Sequence, residues 1–376
     1  MVKTIRTLFV VALALAAGLS ARGNAETGHR AGAVFVMTNA AEKNQVIAFK
    51  RNADGSLTEQ AAFPTGGRGS GGVTDPLGSQ GSLTLTQNLS FLLAVNAGSG
   101  DISVFQVNGA KLLLVDRVPC GGSEPVAVAQ RGDLVYVLNA GGASNVTGFR
   151  LEPNGKLKQI PDSTTFLSTT NSGAASLAFS PDGEFLLVTE KLTNNIDAFH
   201  AQIDGTLGPI VINPSGSPGT FSVSFAPNGT VLLTSTGPAG GTNASTISSY
   251  SLAPNGQLTA ISLNVPTEGA ATCWQATTPN GQFVFTDNSG SANIAGFSIG
   301  TNGALTPLSG TIAGILPTGS ANLDVAITPN GKFLYTLDSG TGTVGIFAIG
   351  ADGTLTSLGD AGGLSEAAGF NGIAAF

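Results

Sequence analysis

Short runs of apolar residues separated by turn residues fill almost the whole chain and predict β-strands rather than helices. Phe185-Leu186-Leu187-Val188 is typical of these runs, which show no 3.6-residue periodicity of useful length. Consecutive apolar residues indicate strands that are covered on both faces, as happens between packed sheets. We therefore expect an all-β fold after the N-terminal segment.

The strand pattern repeats seven times. An aromatic residue ends a β-prone run in each unit, at Phe49, Phe105, Phe149, Phe199, Tyr250, Phe297 and Phe347. Most units continue into a Gly-x-Leu turn such as Gly205/Leu207, and four carry an upstream Pro-Asp/Asn-Gly turn such as that at 329–331. These turns suit Gly and Asn, which accept positive φ at little cost. Each unit is typical of a propeller blade, with four antiparallel strands in about 50 residues.

The two ends of the repeat complement each other. The first unit begins at its second strand, from Val34 to Thr38, and lacks a first strand. The tail at 372–376 resembles the first strand of another unit, at 176–179. We expect residues 33–376 to form a single seven-bladed β-propeller of four-stranded antiparallel blades. In this prediction the C-terminal strand pairs into blade 1 and closes the ring, which leaves no exposed sheet edge.

Residues 1–25 have the pattern of a signal peptide. Lys3 and Arg6 precede an apolar run at 8–19, and Gly23-Asn24-Ala25 fits a cleavage site. The run is shorter than the roughly 20 residues of a membrane span, although an uncleaved anchor remains an alternative. We expect an exported protein, periplasmic or extracellular, with a flexible N-terminus at 26–32 and no membrane span in the mature chain.

Composition narrows the class further. The 16 basic and 23 acidic residues give a net charge of −7, which disfavours nucleic acid as a partner. The only cysteines, Cys120 and Cys273, fall in different units, so a disulfide between them stays open. Either way, the apolar core has to stabilise a chain of this size. The oligomeric state cannot be derived from these patterns.

Several segments carry a family resemblance. Asn-Gly-Lys-Phe-Leu-Tyr at 330–335, Val-Gly-Ile-Phe at 344–347 and Gly-Thr-Leu at 353–355 resemble the lactonase family of seven-bladed β-propellers. That family includes bacterial 6-phosphogluconolactonase and fungal 3-carboxymuconate lactonizing enzymes. The segments at 189–199 and 271–274 resemble its exported branch. The resemblance implies a carboxylic ester hydrolase that opens lactones, and it is more specific for fold than for reaction.

Common catalytic motifs are absent, and His200 occupies an ordinary position in the third strand of its unit. Polar residues end the second strand of every unit, at Asn39, Asn96, Asn139, Glu190, Thr236, Asn288 and Asp338. One interpretation is that these residues begin loops by turning on their own backbone. The other is a polar ring on a ligand-facing rim around the channel.

A lactone hydrolase needs a base, a group that stabilises the oxyanion, and residues that orient the ring. We predict Glu190 as the base and Arg68 or Lys191 as the stabilising cation. The predicted ligand-binding residues at strand entries and ends are Gln80, Glu124, Glu268, Trp274, Asn322, Asp324, Asp338 and Asn371. Trp274 would either stack on a ligand or fill the channel.

No residue spacing indicates a metal site, so no cofactor is predicted, although a divalent cation on carboxylate oxygens stays open. The scarcity of rim cations (Lys43, Arg68 and Lys191) disfavours a phosphorylated substrate. Two functions remain. One is an exported hydrolase of a sugar-derived or other small lactone. The other is a non-catalytic module that binds carbohydrate, cell-surface or protein ligands.

Overall fold

The computed structural model describes residues 32–239 and 241–376, which form seven antiparallel β-sheets arranged in a ring. The predicted signal peptide lies outside these residues, as does the predicted flexible N-terminus up to residue 31. The described ranges contain no helix, and so none that is long and apolar enough to cross a membrane. The prediction of a seven-bladed β-propeller is confirmed.

Each blade is numbered from its innermost strand outward. Blade 1 contains β1 (Ala33–Met37), β2 (Gln45–Arg51) and β3 (Leu57–Pro64), with β29 (Ile373–Ala375) as its innermost strand. Blade 2 contains β4 (Leu83–Leu85), β5 (Phe91–Asn96), β6 (Asp101–Asn108) and β7 (Lys111–Pro119). Blade 3 contains β8 (Pro125–Arg131), β9 (Leu134–Asn139) and β10 (Asn145–Leu151), and its outer strand is divided into β11 (Leu157–Gln159) and β12 (Thr165–Phe166).

The remaining blades have four uninterrupted strands. Blade 4 contains β13 (Ala174–Phe179), β14 (Phe185–Glu190), β15 (Asn195–His200) and β16 (Val211–Pro214). Blade 5 contains β17 (Thr220–Phe225), β18 (Val231–Ser235), β19 (Thr246–Leu252) and β20 (Leu258–Pro266). Blade 6 contains β21 (Thr272–Thr277), β22 (Phe283–Asn288), β23 (Asn293–Ile299) and β24 (Leu305–Ile315). Blade 7 contains β25 (Asn322–Ile327), β26 (Phe333–Asp338), β27 (Thr343–Ile349) and β28 (Leu355–Ala361).

The innermost strands surround a central channel, since each contacts the innermost strand of the next blade around the ring. Because successive strands run in opposite directions, the connections between blades and those between second and third strands emerge together. We call this side of the ring the loop face. The tight turns between first and second strands, and between third and fourth strands, lie on the opposite side, the turn face.

The Pro-Asn-Gly turns form as their sequence predicts. In blade 6, the Asn280 carboxamide oxygen accepts hydrogen bonds from the Thr278 hydroxyl (2.7 Å) and the Gln282 N–H (3.1 Å). The Gly281 N–H donates to the Thr278 carbonyl at 2.8 Å, and Gly281 has a φ of 70°. Only glycine adopts this left-handed conformation without strain. The turn therefore fixes the register of β21 on β22.

The repeated aromatic and glycine positions pack one blade against the next. All seven third-strand aromatics are buried, with at most 4% of their surface exposed. Gly55, in a turn of blade 1, has a φ of 91° and lies against the Phe333 ring of blade 7. The Tyr335 hydroxyl donates to the Gly55 carbonyl at 2.9 Å. A side chain at Gly55 would collide with Phe333, so the glycine is required both by its φ and by the close contact.

The C-terminal strand closes the ring. β29 pairs antiparallel with β1, with Phe35 opposite Ala374. Ala33 and Phe376 exchange both backbone hydrogen bonds, at 2.9 and 3.0 Å, and Arg51 Nε donates to the Phe376 carbonyl at 3.0 Å. The predicted closure by the C-terminal strand is confirmed. Closure covers the inner edge of β1, which would otherwise be an open template for another chain.

Both cysteines are buried and free, so the disulfide that the sequence left open does not form. Cys120 lies between blades 2 and 3, whereas Cys273 lies in the innermost strand of blade 6. The stability of the fold therefore depends on packing between the blades.

Deleting residues 370–376 is expected to abolish the cooperative melting transition, because blade 1 would lose its innermost strand and blade 7 its neighbour. Circular dichroism at rising temperature would measure the effect. Arg51→Gln is a milder test that removes one hydrogen bond to Phe376 and should lower stability by about 1 kcal/mol. A deletion variant that melts like the intact protein would contradict the closure argument.

Candidate functional site at the mouth of the channel

One connection between blades is much longer than the next and fills the channel. The connection from blade 1 to blade 2 covers residues 65–82, whereas the following one covers only 120–124. Residues 74–82, here called the channel loop, contact blades on several sides of the ring. Leu77 in this loop is only 6% exposed. The loop therefore crosses the channel on the loop face.

Hydrogen bonds from three other blades hold the channel loop. The Ser79 hydroxyl donates to the Val126 carbonyl of blade 3 at 2.8 Å, and the Gln80 N–H donates to the Ala175 carbonyl of blade 4 at 3.0 Å. From blade 6, Trp274 Nε1 donates to the Ser79 carbonyl at 2.8 Å. Trp274 is fully buried. Of the two alternatives for this residue, the structure shows that it fills the channel.

A buried carboxyl group anchors the end of the loop. Gln80 Nε2 donates to Asp324 Oδ1 at 3.1 Å and to the Gln275 carbonyl at 2.9 Å. Asp324 also accepts hydrogen bonds from the backbone N–H of Ile373 (3.1 Å) and Val325 (2.9 Å). Burial raises the pKa of Asp324 to about 7, although these hydrogen bonds oppose the shift. Asp324 thus joins the channel loop to blade 7 and to the closing strand.

At the mouth, a carboxyl group and an ammonium group lie on the two sides of Gly78. Asp75 Oδ1 accepts a hydrogen bond from the Gly78 N–H at 2.9 Å. Lys191 Nζ donates to the Gly78 carbonyl at 2.5 Å and lies 5.3 Å from the centre of the Phe221 ring. Gly78 has a φ of 54°, and a side chain there would collide with Lys191 Nζ. Asp75 and Lys191 are both only partly buried, so a small molecule can reach them.

Burial shifts the proton affinity of both groups toward neutrality. It raises the pKa of Asp75 to about 6, against the opposing effect of the Lys191 charge. Burial also lowers the pKa of Lys191, against the Asp75 charge. Asn371 Nδ2 donates to Asp75 Oδ1 at 3.2 Å, and the Ser82 hydroxyl donates to Asn371 Oδ1 at 3.0 Å, which orients the amide. The arrangement supplies a general base and a cation close together.

Five of the predicted site residues meet around the channel loop: Gln80, Lys191, Trp274, Asp324 and Asn371. The sequence analysis missed Asp75, Gly78 and Ser79. One signal was available, since the 56 residues between Phe49 and Phe105 form the longest interval in the repeat. That excess length is the channel loop.

The polar residues that end the second strands lie between blades and not on an exposed rim. In blade 5 the position belongs to Ser235 and not to Thr236, because β18 begins one residue earlier in its unit. With this correction all seven positions are buried: Asn39, Asn96, Asn139, Glu190, Ser235, Asn288 and Asp338. Asn96, for example, accepts from Thr65 Oγ1 (2.7 Å) and donates to Asp101 (2.6 Å). Both interpretations of the pattern were wrong for Asn96, which instead connects neighbouring blades.

Glu190, the predicted base, is fully buried between blades 3 and 4. Its carboxylate accepts hydrogen bonds from the Ser168 N–H (2.9 Å), the Ser168 hydroxyl (2.5 Å) and the Thr193 hydroxyl (2.5 Å). Asp197 lies beside it, and burial together with Glu190 raises the pKa of Asp197 to about 8. The expectation that Glu190 faces solvent is wrong, because its oxygens serve the contact between two blades.

Asn322 and Asp338 also lie between blades, at the contact of blade 6 with blade 7. Both are fully buried, and they are cross-strand partners in β25 and β26. Burial raises the pKa of Asp338 well above its usual range, and burial with the Asp338 charge does the same for the nearby Asp287. These acids are therefore neutral at pH 7. Across the described ranges, no three His, Cys, Asp or Glu side chains are arranged to hold a metal ion.

The remaining predicted residues are exposed on the loop face. Arg68 lies between blades 1 and 2, where its N–H donates to Ser99 Oγ at 2.9 Å. Glu124 and Glu268 each precede an innermost strand and have φ values of 53° and 55°. His200 is exposed on the third strand of blade 4 with its ring edge against Phe185. None of these four residues belongs to the hydrogen-bonded group around Gly78.

Two grooves lie on the turn face, away from this group. One, of about 370 Å³, lies between blades 4 and 5, and the other, of about 420 Å³, lies between blades 6 and 7. Both are lined by the repeated tight turns, including Asn228 in the first and Asn330 in the second. Their recurrence follows from the blade repeat. The partly exposed Asp75 and Lys191 make the channel mouth the better candidate site.

Comparison with known proteins agrees with this fold. The family model described as lactonase, 7-bladed β-propeller, matches residues 34–166, 127–239 and 223–362, so the chain belongs to the lactonase family of seven-bladed β-propellers. No curated protein matches the sequence significantly.

Solved structures with the same fold share little sequence with this chain. A protein proposed to be a 6-phosphogluconolactonase from Bacteroides uniformis is 20% identical, with coverage of 92% of this chain and 100% of its own and a TM-score of 0.66. The periplasmic gluconolactonase PpgL of Pseudomonas aeruginosa is 16% identical, with coverage of 92% and 98% and a TM-score of 0.67. A protein from Lactobacillus plantarum is 17% identical, with coverage of 92% and 99% and a TM-score of 0.70.

Replacing Trp274 should loosen the channel loop. Trp274→Phe leaves the Ser79 carbonyl without its indole donor, which is expected to cost about 1–3 kcal/mol of unfolding free energy in urea. Hydrogen exchange of residues 74–82 should become faster. Tyr136→Phe, which removes a buried hydrogen bond to Gly205 in another part of the ring, is the control. Equal exchange of the loop in both variants would contradict this assignment.

The stability of the protein should fall as the pH rises from about 5 to 8. The folded-state pKa values of Asp75, Asp324 and Asp197 are about 6, 7 and 8, above the usual value of 3.8. The folded protein therefore retains protons that the unfolded chain releases, and unfolding is favoured at the higher pH. Thermal melting across this range would measure the slope.

Asp197→Asn should flatten that slope, since asparagine remains neutral and can donate to Glu190. Glu42→Gln, at an exposed position on the loop face, is the control and should leave the slope unchanged. A melting temperature that rises steadily from pH 5 to 8 would contradict the assignment of neutral buried acids.

Proposed function

We propose that the protein hydrolyses small lactones at the mouth of its channel. The observation that carries the proposal is the placement of Asp75 and Lys191 on the two sides of Gly78, both partly open to solvent. A base with a pKa of about 6 is largely ionised at neutral pH and still accepts a proton during catalysis. A neighbouring ammonium group stabilises negative charge that develops on a carbonyl oxygen.

The proposed reaction uses one water molecule. Asp75 takes a proton from the water as its oxygen attacks the lactone carbonyl carbon. Lys191 stabilises the resulting tetrahedral oxyanion. The bond from this carbon to the ring oxygen then breaks, and the proton on Asp75 passes to the leaving alkoxide. The product is an open-chain hydroxy acid, which ionises and releases the proton that an assay of acid production detects.

Asn371 positions Asp75 in this scheme. Its amide donates to Asp75 Oδ1, favours the ionised carboxylate, and is itself held by the Ser82 hydroxyl. Gly78 keeps Lys191 at its carbonyl because it has no side chain to displace the ammonium group. These contacts preorganise the two reacting groups before substrate binds.

Membership of the lactonase family supports the reaction class, and the name of the Pseudomonas aeruginosa relative, a periplasmic gluconolactonase, supports both reaction and location. Export is part of the proposal and rests on the signal-peptide pattern of residues 1–25. The substrate would then be a lactone present in the periplasm or outside the cell.

Asp75→Asn is expected to reduce kcat/KM for glucono-1,5-lactone at least about 100-fold, because general base catalysis contributes 10²–10⁴-fold. Acid release above the spontaneous rate is the measurement. For the unsubstituted protein, kcat/KM should rise with pH through about 6 as Asp75 loses its proton. Lys191→Met should lower the rate to a similar degree.

Glu42→Gln is the matched control, since it removes one negative charge from an exposed position on the same face. Hydrolysis that survives in both Asp75→Asn and Lys191→Met would contradict the proposed site. A complete absence of hydrolysis with any lactone would favour the non-catalytic binding module.

A further inference from the structure

The charge around the channel mouth distinguishes classes of lactone. The mouth carries the carboxylates of Asp75 and Glu124 and the ammonium group of Lys191. Electrostatic effects of both carboxylates on Lys191 place them within range of its charge. With both acids ionised, the three groups sum to one negative charge. This balance opposes the approach of an anion.

Lys191 is already engaged within the protein. Its ammonium group donates to the Gly78 carbonyl, lies over the Phe221 ring and faces the charge of Asp75. A phosphate that bound Lys191 would have to displace these contacts and would then lie close to Asp75. Lys191 is therefore suited to stabilise a single developing charge on a carbonyl oxygen. It is not suited to hold a permanent dianion.

Glu124 adds negative charge from the neighbouring blade. It is exposed and has a φ of 53°, and its carbonyl accepts a hydrogen bond from the Ala140 N–H at 2.9 Å. This contact fixes its backbone at the entry to β8, beside the channel loop that binds Val126. The Glu124 carboxylate has no salt bridge among the described contacts, so it retains its charge.

The other basic candidate lies on the border of blades 1 and 2. Arg68 is exposed, and its backbone is held by Ser99 Oγ and by the Gly98 N–H, which donates to the Arg68 carbonyl at 3.0 Å. If the protein used a phosphorylated substrate, Arg68 is the residue that would have to bind the phosphate. A variant at Arg68 therefore tests the opposite hypothesis directly.

We propose that the substrate is an uncharged lactone and that Asp75 and Glu124 exclude lactones carrying a phosphate or a carboxylate. The inference rests on the proposed function and adds its substrate class. An anionic substituent would lie near two carboxylates whose charge a single lysine offsets only in part. An uncharged ring with hydroxyl groups meets no such repulsion, and its carbonyl oxygen can still reach Lys191.

The test compares glucono-1,5-lactone with its 6-phosphate, which differ only in the charged group. We expect kcat/KM to be at least about tenfold higher for the uncharged lactone at low ionic strength. Added salt should narrow this ratio, because it screens the repulsion. Glu124→Gln should also narrow the ratio a few-fold, whereas Glu42→Gln should leave it unchanged.

A binding experiment separates this inference from the proposed function. Calorimetry with gluconolactam and its 6-phosphate, which resist hydrolysis, measures charge selection whether or not the protein is an enzyme. Tighter binding of the uncharged lactam supports the inference even if no lactone is turned over, in which case only the proposed hydrolysis fails. Tighter binding of the phosphorylated lactam that is lost in Arg68→Gln overturns the inference, and so does an absence of binding by either compound.

Discussion

Each blade of this protein buries both faces of its sheet only when a neighbour lies on each side. The strands are apolar on consecutive residues, so a blade at an open end of the array would expose a large hydrophobic face. Pairing of β29 with β1 satisfies this requirement by joining the two ends of the chain in one sheet. Packing of the other six blades depends on that contact, which Arg51 and the Phe35–Phe376 pair reinforce.

Ring closure creates a second constraint, because the innermost strands direct polar groups into a narrow channel. The Val126, Ala175 and Gln275 carbonyls all accept hydrogen bonds from the channel loop. A buried polar group without a partner costs about 1–3 kcal/mol, so the loop stabilises the channel as well as filling it. The same loop carries Asp75 and Gly78 to the mouth. The candidate site is therefore built from the element that closes the channel.

The polar residues of this fold have two separate roles. Between the blades, Glu190 and Asp338 are fully buried and connect strands, and burial raises the pKa of the adjacent Asp197 to about 8. At the mouth, Asp75 and Lys191 keep part of their surface in solvent and remain close enough to influence each other. Only the second environment combines access with a shifted proton affinity, which is the usual condition for acid–base chemistry.

The sequence by itself determined the repeat, the blade, the closing strand and the family, because turn residues and strand periodicity are local signals. It also identified Lys191, Gln80, Asp324 and Asn371, which occur where strands begin or end. It could not show that Glu190 is buried while Asp75 is accessible, since both are acids beside β-structure. Only the tertiary structure decided this, because the path of the loop at 65–82 depends on contacts with blades far away in the chain.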